Sequence, residues 1–362
     1  MITMLSGPIK VLVVEHSPFV RSAVVRELSA QEGIAVVGDA KDAFEARDRI
    51  IQHRPDVIIL DTALPRVDGL TFLAKLMEHY PVPVIVCADP TTDHRQAALD
   101  AIEQGATEVV VKPPVNDRAA LQRLAQELAL KVRAAAVALR RPPPIPLSAT
   151  GEPSSLRSLG LDPTRHVVAV GASTGGTDAL RHLLSRVPSD FPPVVMVQHM
   201  PEGFTALFAN RLNDNSPIEV REAVDGDVLT PGLALLARGG IQMTVRGRVG
   251  HCRIAYGDRE EVNRHCPSVD VLFQSVARCI GRAAVGVLLT GMGADGAEGL
   301  LAMHNAGAVT IGQNRGSCVV YGMPKVAADL GAVQMTAAPP EIPQRVVEAL
   351  RARSAAGSAA RG

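Results

Sequence analysis

Short, nearly continuous runs rich in Val and Ile recur along this chain, each separated from the next by an amphipathic stretch. That alternation limits the fold more than any other feature. The runs KVLVVE, IAVVGD, DVIILD, VPVIVCA and TEVVVKP follow one another from Lys10 to Pro113. A strand covered on both faces has no solvent side to mark with polar residues, so such runs predict a parallel sheet buried between helices. From Gly69 to Glu78, Leu70, Leu73 and Met77 recur at helical spacing. Five such βα units predict a doubly wound α/β domain. After a helix from about Asn116 to Leu139 comes RRPPPIPLSATGEPSSLRSLGLDPTR. Its prolines fix φ and remove donors, and it has few large apolar anchors, which reads as a linker. A second α/β series begins with HVVAVG at His166 and continues through PVVMVQH, mixed short strands around LALLA and IQMTV, a helix over Ser268–Cys279, AAVGVLLTG and AVTIGQ. The expected division is a (βα)5 domain over 8–130, a helix end and Pro-rich linker over 131–165, a mostly parallel α/β domain over 166–350, and a disordered tail over 351–362.

Composition narrows the function classes. The 362 residues are too many for one ordinary core. Lys+Arg and Asp+Glu balance at 37 each, with no Trp and three Tyr, so the chain lacks both the basic surface and the stacking side chains of a nucleic-acid binder. The five cysteines contain no Cys-x-x-Cys pair and point to a reducing compartment rather than a disulfide framework or a structural zinc site. No apolar run is long enough to insert into a membrane and no signal-peptide core is present, which predicts a cytoplasmic protein.

In parallel sheets the chemistry gathers at the carboxyl ends of the strands. In the first series those positions hold Glu15 and His16, Asp61, Ala88, and Lys112 with Pro113. A carboxylate beside a fixed cation is what an acyl-phosphate site needs, a nucleophilic oxygen with a charge to hold the phosphoryl group. The LD-x-x-LP-x-x-DG stretch around Asp61, the closing Lys112-Pro113 and the five βα units resemble the receiver domain of response regulators. The resemblance implies phosphorylation at Asp61, a phosphate contact from Lys112, and Mg2+ held beside Asp61 by an acidic pair. That pair is replaced here by Glu15 and His16, so Asp61 and Glu15 are the metal ligands that remain. The Ser/Thr position after the fourth strand is Ala88 and the aromatic switch position is Val109. Magnesium prefers oxygen ligands, and imidazole in place of carboxylate removes one together with its charge. Two readings stay open: a phosphorylatable receiver, and a degenerate one kept for docking or inhibition.

The second series places Ser173, His199 and Asp295 after three different apolar runs. A serine needs a base to take its proton as it attacks. Imidazole can be that base, and a carboxylate can orient it. Taken singly, each residue has a plainer reading: Ser173 as a helix cap or phosphate cradle, His199 as a local hydrogen-bonder, Asp295 as the cap of the following helix. The turn G-A-S-T-G-G matches neither the dinucleotide G-x-G-x-x-G nor a P-loop nor the G-x-S-x-G elbow. His251-Cys252 and His265-Cys266 lack metal-ligand spacing.

GASTGG, VQHMPEGFTALFANRLN, NRHCPSVDVLF, LTGMGADGAEGL and QNRGSCVVYGMPKVA together resemble the catalytic domain of chemotaxis protein-glutamate methylesterases (CheB). A receiver joined to this domain is that family's architecture. The resemblance implies hydrolysis of glutamate methyl esters on the cytoplasmic domains of methyl-accepting chemoreceptors, with glutamine deamidation in some members. It implies Ser173 as nucleophile, His199 as base, Asp295 as its orienter, and the Met292 backbone N–H with Thr174 as oxyanion donors. No cofactor is implied for the ester step; a CheA-type histidine kinase is implied as phosphodonor, and the receiver as the regulator. The alternative is a non-enzymatic signalling adaptor with a degenerate receiver.

Overall fold

The computed structural model describes residues 7–89, 91–113, 117–138 and 155–359, which fall into two compact units. The first unit runs β1 (Ile9–Val14), α1 (Pro18–Ser29), β2 (Ile34–Ala40), α2 (Ala43–His53), β3 (Val57–Asp61), α3 (Gly69–His79), β4 (Val84–Ala88), α4 (Thr92–Glu103), β5 (Glu108–Val111) and α5 (Arg118–Ala138). All strand pairs are parallel and the order is β2-β1-β3-β4-β5. Alternate strand residues Val11, Val13, Val57, Ile59, Ile85 and Val110 form one core with Val20, Val24 and Leu28 of α1 and Leu121, Leu124 and Leu128 of α5. The residues between them, such as Leu12, Ile58, Leu60 and Val86, are equally buried. Burial on both faces is the reason these runs carry no polar alternation.

The second unit runs β6 (Val167–Ala172), α6 (Gly176–Leu184), β7 (Val194–Gln198), α7 (Thr205–Asp214), β8 (Glu219–Glu222), β9 (Leu233–Leu236), β10 (Met243–Arg248), β11 (His251–Tyr256), α8 (Val269–Cys279), β12 (Ala284–Leu288), α9 (Ala297–Asn305), β13 (Val309–Gln313), α10 (Met323–Asp329), β14 (Met335–Ala337) and α11 (Ile342–Ala359). The seven-stranded sheet has the order β14-β13-β12-β6-β7-β9-β8 and every pair in it is parallel. LALLA becomes β9 of this sheet, whereas IQMTV enters a separate antiparallel hairpin of β10 and β11. From β6 the chain winds first towards β7 and later, through β12, to the opposite side. The strand order therefore reverses between β6 and β12, where open α/β sheets form their ligand crevice. Helix α8 lies close over β6: a Cβ on Gly171 would fall 2.2 Å from Val269 Cγ1. Glycine is thus what lets the first turn of α8 reach the carboxyl end of the sheet.

Two expected boundaries move. Residues 155–165 already belong to the second unit, because Leu156 is fully buried and the Asp190 carboxylate accepts bonds from Ser155 Oγ (2.7 Å), Leu156 N (2.9 Å) and Arg157 N (2.9 Å). The tail expected over 351–362 is helical as far as Ala359. Ile342, Val346 and Leu350 seat α11, and Arg353 continues the anchoring by donating to Gly307 O at 2.6 Å and to Arg282 O. Its Ala- and Arg-rich composition favours helix without supplying an apolar stripe, so the sequence reads as a tail. Most of the expected linker, residues 139–154, and residues 360–362 lie outside the described residues. Among the described residues no helix is long and apolar enough to cross a membrane.

The Asp190 latch has a measurable consequence. Asp190→Ala is expected to destabilise the second unit by about 1–2 kcal/mol, the scale of lost hydrogen bonds to a partly exposed charge, read as a lower urea midpoint. An unchanged midpoint would show that residues 155–157 add nothing to this fold.

Candidate active site

The register of the central strands brings the second unit's candidates together. Ala172 of β6 pairs with Gln198 of β7, so Ser173 and His199, one residue further along each strand, leave the sheet side by side. His199 N donates to Ala172 O at 3.0 Å, and Ser173 N donates to Thr290 O, just beyond β12, also at 3.0 Å. The buried Gln198 amide ties both ends, with Nε2 donating to Ser173 O at 3.0 Å and to His199 O at 3.2 Å. Gly176 N closes the turn onto Ser173 O at 2.7 Å. Gly175 between them has φ 76° and ψ 3°, the values of the third residue of a type II turn, which glycine adopts without strain. These bonds set Ser173 on a tight strand-to-helix turn.

Asp295 is reached from β12, the other neighbour of β6. Its carboxylate accepts from His199 Nε2 (2.8 Å), Asn263 Nδ2 (2.9 Å), Ser268 Oγ (2.7 Å), Val269 N (2.7 Å) and Asp270 N (3.3 Å). The last two are the opening amides of α8, so Asp295 caps that helix rather than α9, which follows it in sequence. Burial alone pushes the Asp295 carboxyl up; the hydrogen bond and charge of His199, with Asn263 and Ser268, outweigh it and hold the group well below the usual carboxylate range. Asp295 thus stays anionic against His199 Nε2. The other ring nitrogen, Nδ1, is buried and has no hydrogen-bond partner among the described residues.

Several contributors escape a reading of the sequence by spacing. Asn263 and Arg264, with φ 55° and 67°, form a two-residue turn closed by Val262 N to His265 O and His265 N to Val262 O, both 3.0 Å. The turn sends Asn263 to Asp295 and lays the His265 ring on His199, with centroids 3.6 Å apart and planes 9° from parallel. Asn263 also donates to Asp270 Oδ2 at 2.7 Å, and Asp270 Oδ1 accepts Gly299 N at 2.6 Å. The motif NRHCPSVDVLF contains Asn263, His265, Ser268 and Asp270 and is the one sequence signal that groups them. His199, His265 and Asp295 bring their donor atoms within 4.8 Å of one another, yet two stacked rings direct their lone pairs side by side rather than to one point. That suits support of one ring by the other better than a metal cage.

For the oxyanion candidates, a Cβ on Gly291 would lie 2.7 Å from Ser173 Cβ, so the adjoining Met292 lies next to the Ser173 turn. Thr174 is buried, and its carbonyl accepts Thr290 Oγ1 at 3.0 Å. Glu202 is exposed and pairs with Arg259 at 3.4 Å, away from these contacts.

The first unit gathers Glu15, His16, Asp61 and Lys112 at its own strand-order reversal, between β1 and β3. Lys112 Nζ lies 2.7 Å from Asp61 Oδ1 and 3.0 Å from Glu15 Oε2. His16 Nδ1 contacts Asp61 Oδ2 and lies 3.3 Å from Glu15 Oε1. Each carboxylate therefore gives one oxygen to lysine and the other to histidine. Burial pushes Asp61 up, but the charge and hydrogen bond of Lys112, with Ala63 N and His16, hold it below the usual range. Burial and then the Asp61 charge raise Glu15, while the two carboxylates raise Lys112 against its own burial. Ala88 and Val109 are both buried and carry no side-chain hydroxyl.

Comparison with known proteins finds relatives of both units. The CheB methylesterase family matches residues 168–346, and the response regulator receiver domain family matches residues 11–125. A protein-glutamate methylesterase/protein-glutamine glutaminase 4 of Anaeromyxobacter dehalogenans is 48% identical over 90% of this chain and 90% of its own length. A counterpart numbered 2 from Hahella chejuensis is 44% identical over 95% of this chain and 97% of its own. Among solved structures, the Thermotoga maritima CheB methylesterase catalytic domain is 34% identical, with a TM-score of 0.49, and the match covers 51% of this chain and 97% of that one.

Three outcomes are expected from the geometry. Asp295→Asn places an amide among donors and is expected to lower kcat by roughly 10^3–10^4-fold, as removal of a triad carboxylate does elsewhere. Because the Asp295 carboxyl is depressed in the fold, the stability it adds is fully present above its unfolded value and is lost as pH falls through the folded one. The denaturation midpoints of wild type and Asp295→Asn should therefore converge below about pH 4; a constant gap would show that the carboxylate's charge adds no stability. His265→Ala is expected to lower kcat about 2- to 10-fold at nearly constant KM, the worth of one aromatic stack, and His265→Phe to restore it. Equal loss in both variants would mean that the stack does not position His199.

Proposed function

We propose, for a chain that belongs to the CheB methylesterase family and carries a response regulator receiver domain, that it hydrolyses glutamate methyl esters on the helical cytoplasmic domains of chemoreceptors. The observation that carries the proposal is the convergence of Ser173, His199 and Asp295 on three adjacent strand ends, with His199 Nε2 held by Asp295 and Nδ1 left over. Ser173 Oγ attacks the ester carbonyl as His199 Nδ1 takes its proton. Asp295 keeps the ring oriented and stabilises the imidazolium. The oxyanion is met by the Met292 backbone N–H, with Thr174 beside the nucleophile as the second donor; one such donor is typically worth about 2.7–4 kcal/mol of barrier. His199 returns the proton to the departing methoxide, methanol leaves, and the same base activates water to free the glutamate. A glutamine amide can follow the same path with ammonia as leaving group, in keeping with the double name of the relatives.

The receiver is the control element of this reading. Asp61 is its phosphoryl acceptor, Lys112 its phosphate contact and a CheA-type histidine kinase its phosphodonor, all in the cytoplasm. Buried Lys112 already bridges Asp61 and Glu15, which supports a pocket built around carboxylate charge.

The test is methanol release from receptor membranes carrying labelled methyl esters. The full chain and a fragment of residues 155–362 are expected to release methanol, and Ser173→Ala to lose roughly 10^4-fold or more. A fragment faster than the full chain would mark the receiver as inhibitory. No release from either unmutated form would sink the esterase reading and leave a signalling adaptor.

A further inference from the structure

The receiver fold implies magnesium beside Asp61, and the donors here fit that ion poorly. Magnesium takes oxygen ligands in a near-ideal octahedron and gives up water reluctantly. The pocket offers one oxygen each from Glu15 and Asp61, because their other oxygens are engaged by Lys112 at 3.0 and 2.7 Å. The remaining donor is a nitrogen, His16 Nδ1. Lys112 Nζ also lies 3.5 Å from Asp89 Oδ1, so one ammonium is shared among three carboxylates. The misfit to magnesium rests on the nitrogen donor and on the few free oxygens rather than on charge.

The same arrangement suits a different class of ion. Glu15 Oε1, Asp61 Oδ2 and His16 Nδ1 lie within 4.8 Å of one another. Cis donors on an octahedral ion with bonds of about 2.1 Å lie about 3 Å apart, and the Nδ1 to Oε1 separation is 3.3 Å. An ion seated among them replaces the His16 side-chain contacts to both carboxylates and leaves those of Lys112 intact, with Glu15 Oε1 also accepting Ser17 N at 2.7 Å. The two carboxylates are buried while the His16 side chain is 42% exposed, so the three donors face an open side where water or a phosphoryl oxygen can complete the shell. One imidazole with two carboxylates is a donor set that binds later first-row divalent ions more strongly, because nitrogen ligation gains along that series.

We infer that the Glu15–His16–Asp61 pocket takes a nitrogen-accepting divalent transition ion, of the cobalt and zinc class, in preference to magnesium. The inference concerns the first unit alone and does not depend on the esterase reading.

Titration of the full-length protein with cobalt chloride, followed by visible absorption and competed with magnesium, tests it directly. Wild type is expected to bind cobalt with the spectrum of mixed nitrogen and oxygen ligation. His16→Asp is expected to shift the cobalt-to-magnesium affinity ratio at least tenfold towards magnesium, and Asp61→Asn to abolish the signal. Thermal melts establish that each variant is folded, with His16→Asn used for the ratio if His16→Asp is not. A shift smaller than tenfold overturns the inference, as does an absence of cobalt binding in wild type. Wild-type cobalt binding in Asp61→Asn overturns it too, by placing the ion elsewhere.

Discussion

A buried carboxylate at the opening turn of α8 holds the second unit's chemistry together. Leaving an ion of that size unpaired in the interior costs several kcal/mol, and five donors, two of them the first amides of α8, offset that cost at Asp295. Charge-assisted bonds of this kind are worth about 1.5–3 kcal/mol each. They bind loop, helix and histidine into one object. The close approach of Val269 to Gly171 sets that helix end over β6, so docking of one helix on one strand fixes the direction in which the His199 ring faces.

The two units share a topology and treat charge in opposite ways. Both sheets place buried carboxylates where strand order reverses, between β1 and β3 in one and between β6 and β12 in the other. Asp61 is met by cationic Lys112 and by His16. Asp295 is met, apart from His199, by neutral N–H and O–H groups. Neutral donors stabilise the anion without cancelling its charge. At Asp61 a cation meets the charge directly while sharing itself with Glu15 and Asp89, and whatever enters that pocket must displace or join an existing pair.

Much of this was legible in the residues. Apolar runs without alternation marked the parallel strands, and strand ends marked Ser173, His199, Asp295, Asp61 and Lys112. Strand adjacency was not legible, because β6 and β12 are separated by over a hundred residues and meet only through sheet order. Asn263, His265 and Gln198 were not legible as site residues for the same reason. Their roles come from where a turn and a strand end dock, and no periodicity records that. The cap on α8 went astray instructively: Asp295 precedes α9 in sequence and serves α8 in space. The latch at Leu156 and the helix beyond residue 350 were missed because single anchors, Asp190 and Arg353, replace an apolar stripe.

The shared use of Asp295 bears on how loss of function is produced in a cell. Ser173 is positioned by its main chain, through Thr290, Gly176 and Gln198. Its hydroxyl can be removed while the strand-to-helix turn keeps its bonds. An allele at Asp295 also unties a helix end and reports on chemistry and protein abundance together. A substitution at the serine therefore leaves the strand-to-helix turn and the α8 cap in place, whereas one at Asp295 disturbs both a side-chain contact and a helix end.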